Sequence, residues 1–322
     1  MTIGALTWVE FAAGMALLFV GGELLVRGAV SLARRFGVSP MLIGATVVAF
    51  GTSAPELVVS LQAATRGVVD IAIGNVLGSN LANMLLILGV TITIAPIMVD
   101  RAAVRRDALT LGVATVLVVG LAYAGLVPRF AGILMLAALI GHVIYGYWSE
   151  RRRACAAAEA ALHIREADEA EGTPQPMGMA SVYLLFGIVG VVAGAHFLVE
   201  SGTTIARAAG ISEAVIGLTI VALGTSLPEL ATSVVAAIRR HGDVALGNVL
   251  GSSLFNILGI FGVVAIVKPI EIPAEIANFD VWVLLGVTAL ILLPVLAGWR
   301  LGRLAGALLL ALYTAYILLH YL

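Results

Sequence analysis

A glutamate follows a proline inside two apolar stretches, and this doubled feature restricts the fold more than any other. The first copy reads Gly-Thr-Ser-Ala-Pro-Glu from Gly51 to Glu56, and the second reads Gly-Thr-Ser-Leu-Pro-Glu from Gly224 to Glu229. A carboxylate at membrane depth is costly, and a proline removes a backbone donor and disfavours helix at the preceding residue. The pattern predicts two broken helices that meet at one polar site.

The composition is that of a polytopic membrane protein. Of the 322 residues, 61% are hydrophobic and 11% are charged, with a mean hydropathy of +1.09, whereas about a quarter of the residues in a soluble domain are charged. About 20 apolar residues cross a bilayer. The sequence therefore predicts an all-α membrane protein with ten transmembrane spans at 6–33, 40–65, 70–94, 103–124, 129–148, 178–206, 212–238, 243–267, 279–297 and 301–321.

One long polar stretch, 149–177, divides the chain into a first five-span half, 1–148, and a second, 178–322; its Ala-rich start favours helix. With the N-terminus outside, inner loops hold thirteen of the 18 basic residues, outer loops hold four and the first span holds one. The positive-inside rule then predicts a protein of the cytoplasmic membrane with both termini outside and the linker in the cytoplasm. The scattered basic residues indicate no nucleic-acid partner, and the sequence indicates no obligate protein partner.

The two halves are copies of each other. Residues 44–90 align with 217–263 without a gap at an offset of 173, and 28 of the 47 positions are identical. Because each half has an odd number of predicted spans, the halves must lie upside down relative to each other in the membrane. Inverted repeats with interrupted helices are the architecture of secondary transporters, whose binding sites lie near the midplane.

A second polar segment follows each glutamate motif. It reads Gly-Asn-Val-Leu-Gly-Ser-x-Leu-x-Asn and ends at Asn83 in the first half and Asn256 in the second. Ser79 and Ser252 precede these asparagines by four residues, so each pair lies on one helix face. That face must point into the protein because lipid cannot satisfy polar groups.

These motifs supply carboxylate, hydroxyl and amide oxygens, together with carbonyls released where the prolines interrupt the helices, and they contain neither cysteine nor histidine. An all-oxygen set suits hard cations such as Na⁺, Ca²⁺ or Mg²⁺ and argues against zinc or copper. Two carboxylates balance one divalent ion. An emptied site would take up protons or monovalent cations, which gives ion exchange a physical basis.

Two further pairs have open or local interpretations. Asn75 and Asn248 serve either as ion ligands or as hydrogen-bonding groups between helices. Glu23 and Arg27 are spaced four apart in the first span, which favours a local salt bridge.

The paired motifs resemble the two alpha-repeats of the calcium/cation antiporter superfamily, most closely its prokaryotic sodium/calcium exchangers. The resemblance implies ten spans, of which the first and sixth slide past the other eight. It also implies Ca²⁺ ligation by Glu56 and Glu229 and by the carbonyls of Thr52 and Thr225. The Na⁺ ligands that it implies are the side chains of Ser53, Ser79, Ser226 and Ser252 and the carbonyls of Ala49 and Ala222. Asn83 and Asn256 complete the candidate ligands.

One position departs from the exchanger pattern. The exchangers often carry aspartate where this chain has Asn256, opposite an asparagine at Asn83, and a double asparagine resembles the proton-coupled branch. Asparagine supplies an oxygen without a charge, and the four serines suit Na⁺. The prediction is Ca²⁺/Na⁺ exchange, with Ca²⁺/H⁺ exchange as the alternative. A cation channel is a weaker alternative.

An intramembrane hydrolase is a further alternative, but the motif segments lack a nucleophile or a metal-binding histidine set. We therefore expect no enzymatic activity and no cofactor, with inorganic cations and the lipid bilayer as the partners. The 149–177 linker is too short for the calcium-sensing domains of animal exchangers, so regulation of that kind is not expected.

Overall fold

The computed structural model describes residues 4–98, 101–161, 176–209 and 222–321, and nearly all of them are helical. The helices are α1 (Ala5–Phe36), α2 (Pro40–Ile43), α3 (Ala49–Thr52), α4 (Ala54–Thr65), α5 (Val69–Leu81), α6 (Leu88–Ile94), α7 (Arg101–Tyr123), α8 (Arg129–Ala161), α9 (Met177–Ala208), α10 (Ala222–Gly224), α11 (Leu227–Ile238), α12 (Gly242–Leu254), α13 (Phe261–Val267), α14 (Val281–Ala297) and α15 (Arg303–Tyr321). Four π-helical segments continue these helices, namely π1 (Gly44–Val48), π2 (Ala82–Ile87), π3 (Phe255–Ile260) and π4 (Ile276–Asp280). Two short strands are β1 (Leu126–Val127) and β2 (Ile270–Glu271).

The all-helical prediction is confirmed, and the span count is partly supported. Among the described residues, seven helices are long and apolar enough to cross a membrane, and the pair Pro40–Thr52 and Ala54–Thr65, bent by 46°, makes an eighth. The predicted span 212–238 begins in residues outside the described part and ends in the shorter helix α11. The predicted span 301–321 corresponds to α15, which is also among the shorter apolar helices.

Helix α8 continues well beyond the predicted span end at 148. It extends to Ala161 through the Ala-rich start of the polar linker, as expected for the residue with the highest helix propensity. The remainder of the linker, 162–175, lies outside the described residues.

The sequence repeat is also a structural repeat. Shifting by 173 residues superimposes the bounds of α4 on α11, α5 on α12, π2 on π3 and α6 on α13. The segments that follow α6 and α13 are also equivalent. Ile97 exchanges two backbone hydrogen bonds with Leu301, each 3.0 Å, and its counterpart Ile270 pairs with Val127. Each half therefore pairs its backbone with the other half.

Helices α1 and α9 pack against each other along most of their length. Gly14 approaches Gly194, whereas Gly28 approaches Leu184, so the two helices run antiparallel. A Cβ at Gly21 would lie 2.7 Å from the amide nitrogen of Val191, closer than atoms can approach. Glycines therefore allow backbone contact between these helices, as they do in many membrane proteins.

The predicted salt bridge within α1 is confirmed and has an additional member. Arg27 Nε lies 2.6 Å from Glu23 Oε1, and Arg239 Nε, at the end of α11, lies 2.7 Å from Glu23 Oε2. Glu23 therefore connects α1 to the helix that carries the second glutamate motif.

A buried polar network connects α7 and α8 with the start of α2. The fully buried Asp107 carboxylate accepts a hydrogen bond from Arg106 Nε at 2.8 Å, and its Oδ1 lies 2.9 Å from His142 Nε2. Arg106 also lies 3.9 Å from Glu150, whose carboxylate accepts hydrogen bonds from the backbone amide and hydroxyl of Ser39, at 2.7 and 3.0 Å. Ser39 caps α2, so this network holds the start of the segment that leads to the first glutamate motif.

Candidate cation-binding site

Both predicted helix breaks are present, and they lie at the serines of the two motifs. Helix α3 ends at Thr52, and α4 begins at Ala54 after Ser53 (φ −86°, ψ 9°). In the second half, Ser226 (φ −88°, ψ 3°) precedes α11 in the same way. Each proline occupies the second position of the new helix, where its missing N–H has no helical partner to lose.

The two glutamates occupy the first turns of α4 and α11, and each is 1% exposed. The N-terminus of a helix carries a partial positive charge, which favours a carboxylate there. The break in each span therefore creates a helix N-terminus inside the protein, where it stabilises a negative charge that an unbroken span would not.

Hydrogen bonds cross between the halves at this point. Ser53 Oγ donates to Glu229 Oε1 at 2.6 Å, and Ser226 Oγ donates to Glu56 Oε1 at 3.2 Å. A serine at this position ordinarily caps its own helix, but neither serine makes a cap bond. These two crossed hydrogen bonds bring the two carboxylates close together.

Several buried oxygen atoms of the motif residues have no hydrogen-bond partner. Among the described residues, Oε2 of Glu56, Oε2 of Glu229 and Oγ of Ser252 are buried without a hydrogen-bond partner, as are the amide oxygens of Asn83 and Asn256. An unsatisfied buried polar atom costs about 1–3 kcal/mol. All five are oxygens of the kinds that Na⁺ and Ca²⁺ prefer, which makes them candidate ligands for a hard cation.

Asn75 and Asn248 donate hydrogen bonds to the backbone carbonyls of the two glutamates. Asn75 Nδ2 donates to the Glu56 carbonyl at 3.2 Å and to Ser60 Oγ at 2.9 Å. Asn248 Nδ2 makes the equivalent bonds, at 3.3 Å to the Glu229 carbonyl and 3.0 Å to Ser233 Oγ. Of the two open interpretations, their amide nitrogens fit the interhelical one.

The sequence analysis missed Ser60 and Ser233. Each follows a motif glutamate by four residues, and the two are identical across the repeat. The spacing and the identity could both have identified these serines from the sequence. Their hydroxyls fix the asparagine side chains and thereby the backbone of each glutamate.

Asn83 and Asn256 lie at the second residues of π2 and π3, and both are 1% exposed. The segment π2 packs against α11, and π3 packs against α4, so each asparagine lies on a segment that contacts the glutamate-bearing helix of the other half. Single π-turns recur at functional sites. Ser79 and Ser252, one turn earlier in α5 and α12, are also buried.

The threonines and alanines proposed to supply carbonyls adjoin the breaks. The Ala49 carbonyl accepts the Ser53 amide at 3.0 Å, whereas in the second half the Ser226 amide bonds to Leu223 at 3.1 Å. The carbonyl of Ala222 is therefore not engaged by Ser226. Thr52 is fully buried, and Thr225 lies in the second break; the side chain of Ala222 is outside the described residues.

The two halves differ in how closely their glycines are covered. Gly247 and Gly251 of α12 are buried against backbone atoms of Met41 and Ala45. Their counterpart Gly74 is exposed, and no described residue would lie within 4 Å of a Cβ there. The second-half segment is therefore tightly closed against the first half, whereas α5 has an exposed face.

Comparison with known proteins gives a consistent result. A model of the family described as sodium/calcium exchanger protein matches residues 6–148 and 179–322. A protein of Alkalimonas amylolytica provisionally named antiporter CaxA is 39% identical over 311 residues, covering 94% of this chain and 95% of that protein. The sodium/calcium exchanger MaX1 of Methanosarcina acetivorans is 29% identical over 350 residues, covering 94% and 95%.

A solved structure agrees with these sequence relatives. The sodium-calcium exchanger NCX_Mj, soaked with 2.5 mM Na⁺ and 1 mM Sr²⁺, superimposes with a TM-score of 0.83 at 33% identity. The match covers 97% of this chain and 98% of that one.

Proposed function

The chain belongs to the sodium/calcium exchanger family, and from this premise we propose that it exchanges Ca²⁺ for Na⁺ across the cytoplasmic membrane by alternating access. The observation that carries the proposal is the pair of buried glutamates, joined crosswise by Ser53 and Ser226, with one carboxylate oxygen of each unpartnered. Membership of an antiporter family supports a carrier over a channel, and neither the motifs nor the site suggests an enzyme.

The charge of the site explains why exchange would be obligatory. Two carboxylates and one Ca²⁺ sum to zero, so the loaded site is neutral. When the ion leaves, two negative charges remain in a medium of low dielectric, where charges lack compensation by water. Return of the empty site therefore costs free energy, and Na⁺ that binds from the side to which Ca²⁺ was released removes that cost. Serine and asparagine oxygens add ligands without adding charge.

Alternating access requires a surface along which one part can move. The antiparallel contact of α1 with α9 joins equivalent helices of the two halves, and glycines line it. These features support inverted five-span halves and a mobile α1–α9 pair.

The site residues proposed as ligands are the two glutamates, the four serines Ser53, Ser79, Ser226 and Ser252, and the two asparagines Asn83 and Asn256. The carbonyls of Ala49, Thr52, Ala222 and Thr225 complete this set.

The decisive experiment is ⁴⁵Ca²⁺ uptake into proteoliposomes. We expect an outward Na⁺ gradient to drive uptake at fixed pH, and Asn256→Asp to change the Na⁺ dependence more than the maximal Ca²⁺ flux. The double asparagine favours Ca²⁺/H⁺ exchange as the second candidate. Uptake driven by a pH gradient in sodium-free buffer, without further response to Na⁺, would establish that alternative.

The proposed topology has its own test. Thr65 and Ile238 are exposed equivalents in the repeat, and cysteines there, on a Cys155→Ser background, avoid the ion-paired Arg239. In the inverted arrangement, with both termini outside, an impermeant thiol reagent labels Thr65→Cys from the outside and Ile238→Cys from the cytoplasm. Labelling of both from one side would refute the inversion.

A further inference from the structure

An open cleft of about 490 Å³ lies where α1, the start of α2 and the α11–α12 connection meet. Val30 and the buried Ile97 contribute apolar surface to it. The exposed side chains of Arg34 and Arg240 line it together with the half-buried His241. The cleft therefore combines an apolar lining with a cationic one, and it is separate from the cation site.

Arg240 has an unusual backbone. Its φ is 62°, and it is the only described residue other than glycine with a positive φ. Its counterpart in the first half is Gly67, with φ 83°. The first half therefore has at this position glycine, the residue that adopts a positive φ without strain. An arginine there costs about 1–2 kcal/mol. Strain of this kind persists mainly where the side chain has a function.

No contact with the part of the chain that the structure describes gives the Arg240 side chain a structural function. Within the described residues its guanidinium has no hydrogen-bond or ion-pair partner, in contrast to the neighbouring Arg239, which binds Glu23. Its backbone amide donates to the Ala237 carbonyl at 3.0 Å, a bond that glycine would also make. The guanidinium is therefore available to a ligand in the cleft.

The local potential favours an anion. Helix α12 starts at Gly242, beside Arg240, and His241 provides no side-chain cap for it, so the partial positive charge of this 13-residue helix adds to that of the arginines. Asp243 is the one acidic residue in the described lining, and its Oδ1 accepts the Val244 amide at 2.9 Å.

The position of the cleft suggests the source of the anion. Arg34 lies in the last turn of α1, where a span ends and lipid head groups begin. Guanidinium groups bind phosphate in a bidentate manner. We propose that this cleft binds a phosphate-bearing anion, and that its apolar lining favours a phospholipid over free phosphate by contacting the apolar part of the lipid, whose phosphate would connect Arg34 on α1 to Arg240 on the α11–α12 connection.

The test measures thermal unfolding of the purified full-length protein in neutral detergent with added phosphatidylglycerol, phosphatidylcholine or inorganic phosphate. At about a hundred times the dissociation constant, we expect phosphatidylglycerol to raise the unfolding midpoint by roughly 5 °C. Arg240→Gly and Arg34→Gln should lose most of this shift. Arg129→Gln, which removes an exposed arginine far from the cleft in sequence, should retain it.

Arg240→Gly separates lost binding from damaged folding. Because glycine relieves the positive φ, this variant should be at least as stable as the wild type in phosphatidylcholine. An equal shift with inorganic phosphate supports the anion site and assigns it to free phosphate, whereas a shift with phosphatidylglycerol alone assigns it to lipid. No shift in the wild type, an undiminished shift in Arg240→Gly, or a less stable Arg240→Gly without lipid would each overturn the proposal.

Discussion

Replacing Glu229 with glutamine removes half the charge of the site while keeping its shape. The amide oxygen can still accept the hydrogen bond that Ser53 donates at 2.6 Å, so the fold should persist. Unit charges 4 Å apart interact by about 4 kcal/mol at an effective dielectric constant of about 20, so a divalent ion loses about 8 kcal/mol. If half of this is offset by easier dehydration, about 4 kcal/mol remains, a roughly thousandfold loss of affinity.

The assay is Na⁺-driven ⁴⁵Ca²⁺ uptake into proteoliposomes, with the concentration dependence measured up to millimolar Ca²⁺. Glu200→Gln is the matched control, because this glutamate lies in α9 with its side chain 67% exposed, and its uptake should equal that of the wild type. A folded Glu229→Gln protein with a Ca²⁺ affinity within tenfold of the wild type would refute the charge-balance reasoning.

Three other changes have defined outcomes. Gly187→Ala places a Cβ 2.5 Å from the Leu25 amide nitrogen and should lower the free energy of unfolding by about 1–3 kcal/mol and slow exchange; Gly286→Ala, with open space at its Cβ, should do neither. Asn248→Ala removes three side-chain hydrogen bonds, two that Nδ2 donates and a 3.4 Å bond that Oδ1 accepts from Thr52 Oγ1. It should weaken Ca²⁺ binding about tenfold and lower the free energy of unfolding by about 1–3 kcal/mol; unchanged affinity would contradict this. Asp107→Asn removes the fully buried carboxylate charge between Arg106 and His142 and should lower the free energy of unfolding in denaturant by about 1.5–3 kcal/mol; a loss below 1 kcal/mol would contradict this.

The length of the apolar runs and the positions of breaker residues were sufficient to predict most membrane-spanning helices. The predicted spans 70–94 and 243–267 agree within one residue with the observed helices Val69–Ile94 and Gly242–Val267. The break at Ser53 followed from the proline, whose effect on the backbone is local. Local signals of this kind do not require knowledge of the tertiary structure, which explains their success.

Features that depend on tertiary contacts were not predicted. The donation from Ser53 to Glu229 joins residues 176 positions apart, and no spacing rule distinguishes it from a local helix cap. The π-turns at Asn83 and Asn256 reflect a shift in helix hydrogen bonding, and this shift has no residue signature in either segment. The assignment of ligands, in contrast, came from the family resemblance and remains a prediction.

The crossed serines have a consequence for how the protein is made. During synthesis the first half enters the membrane before Ser226 exists, so Glu56 is buried without its donor until the second half has inserted and docked. Neither half alone carries both glutamates and the serines that donate to them, so the proposed site forms only when the two halves associate, as in an obligate dimer. Fragments 1–161 and 176–322, which keep α8 with Glu150 intact, should therefore bind Ca²⁺ only when co-expressed.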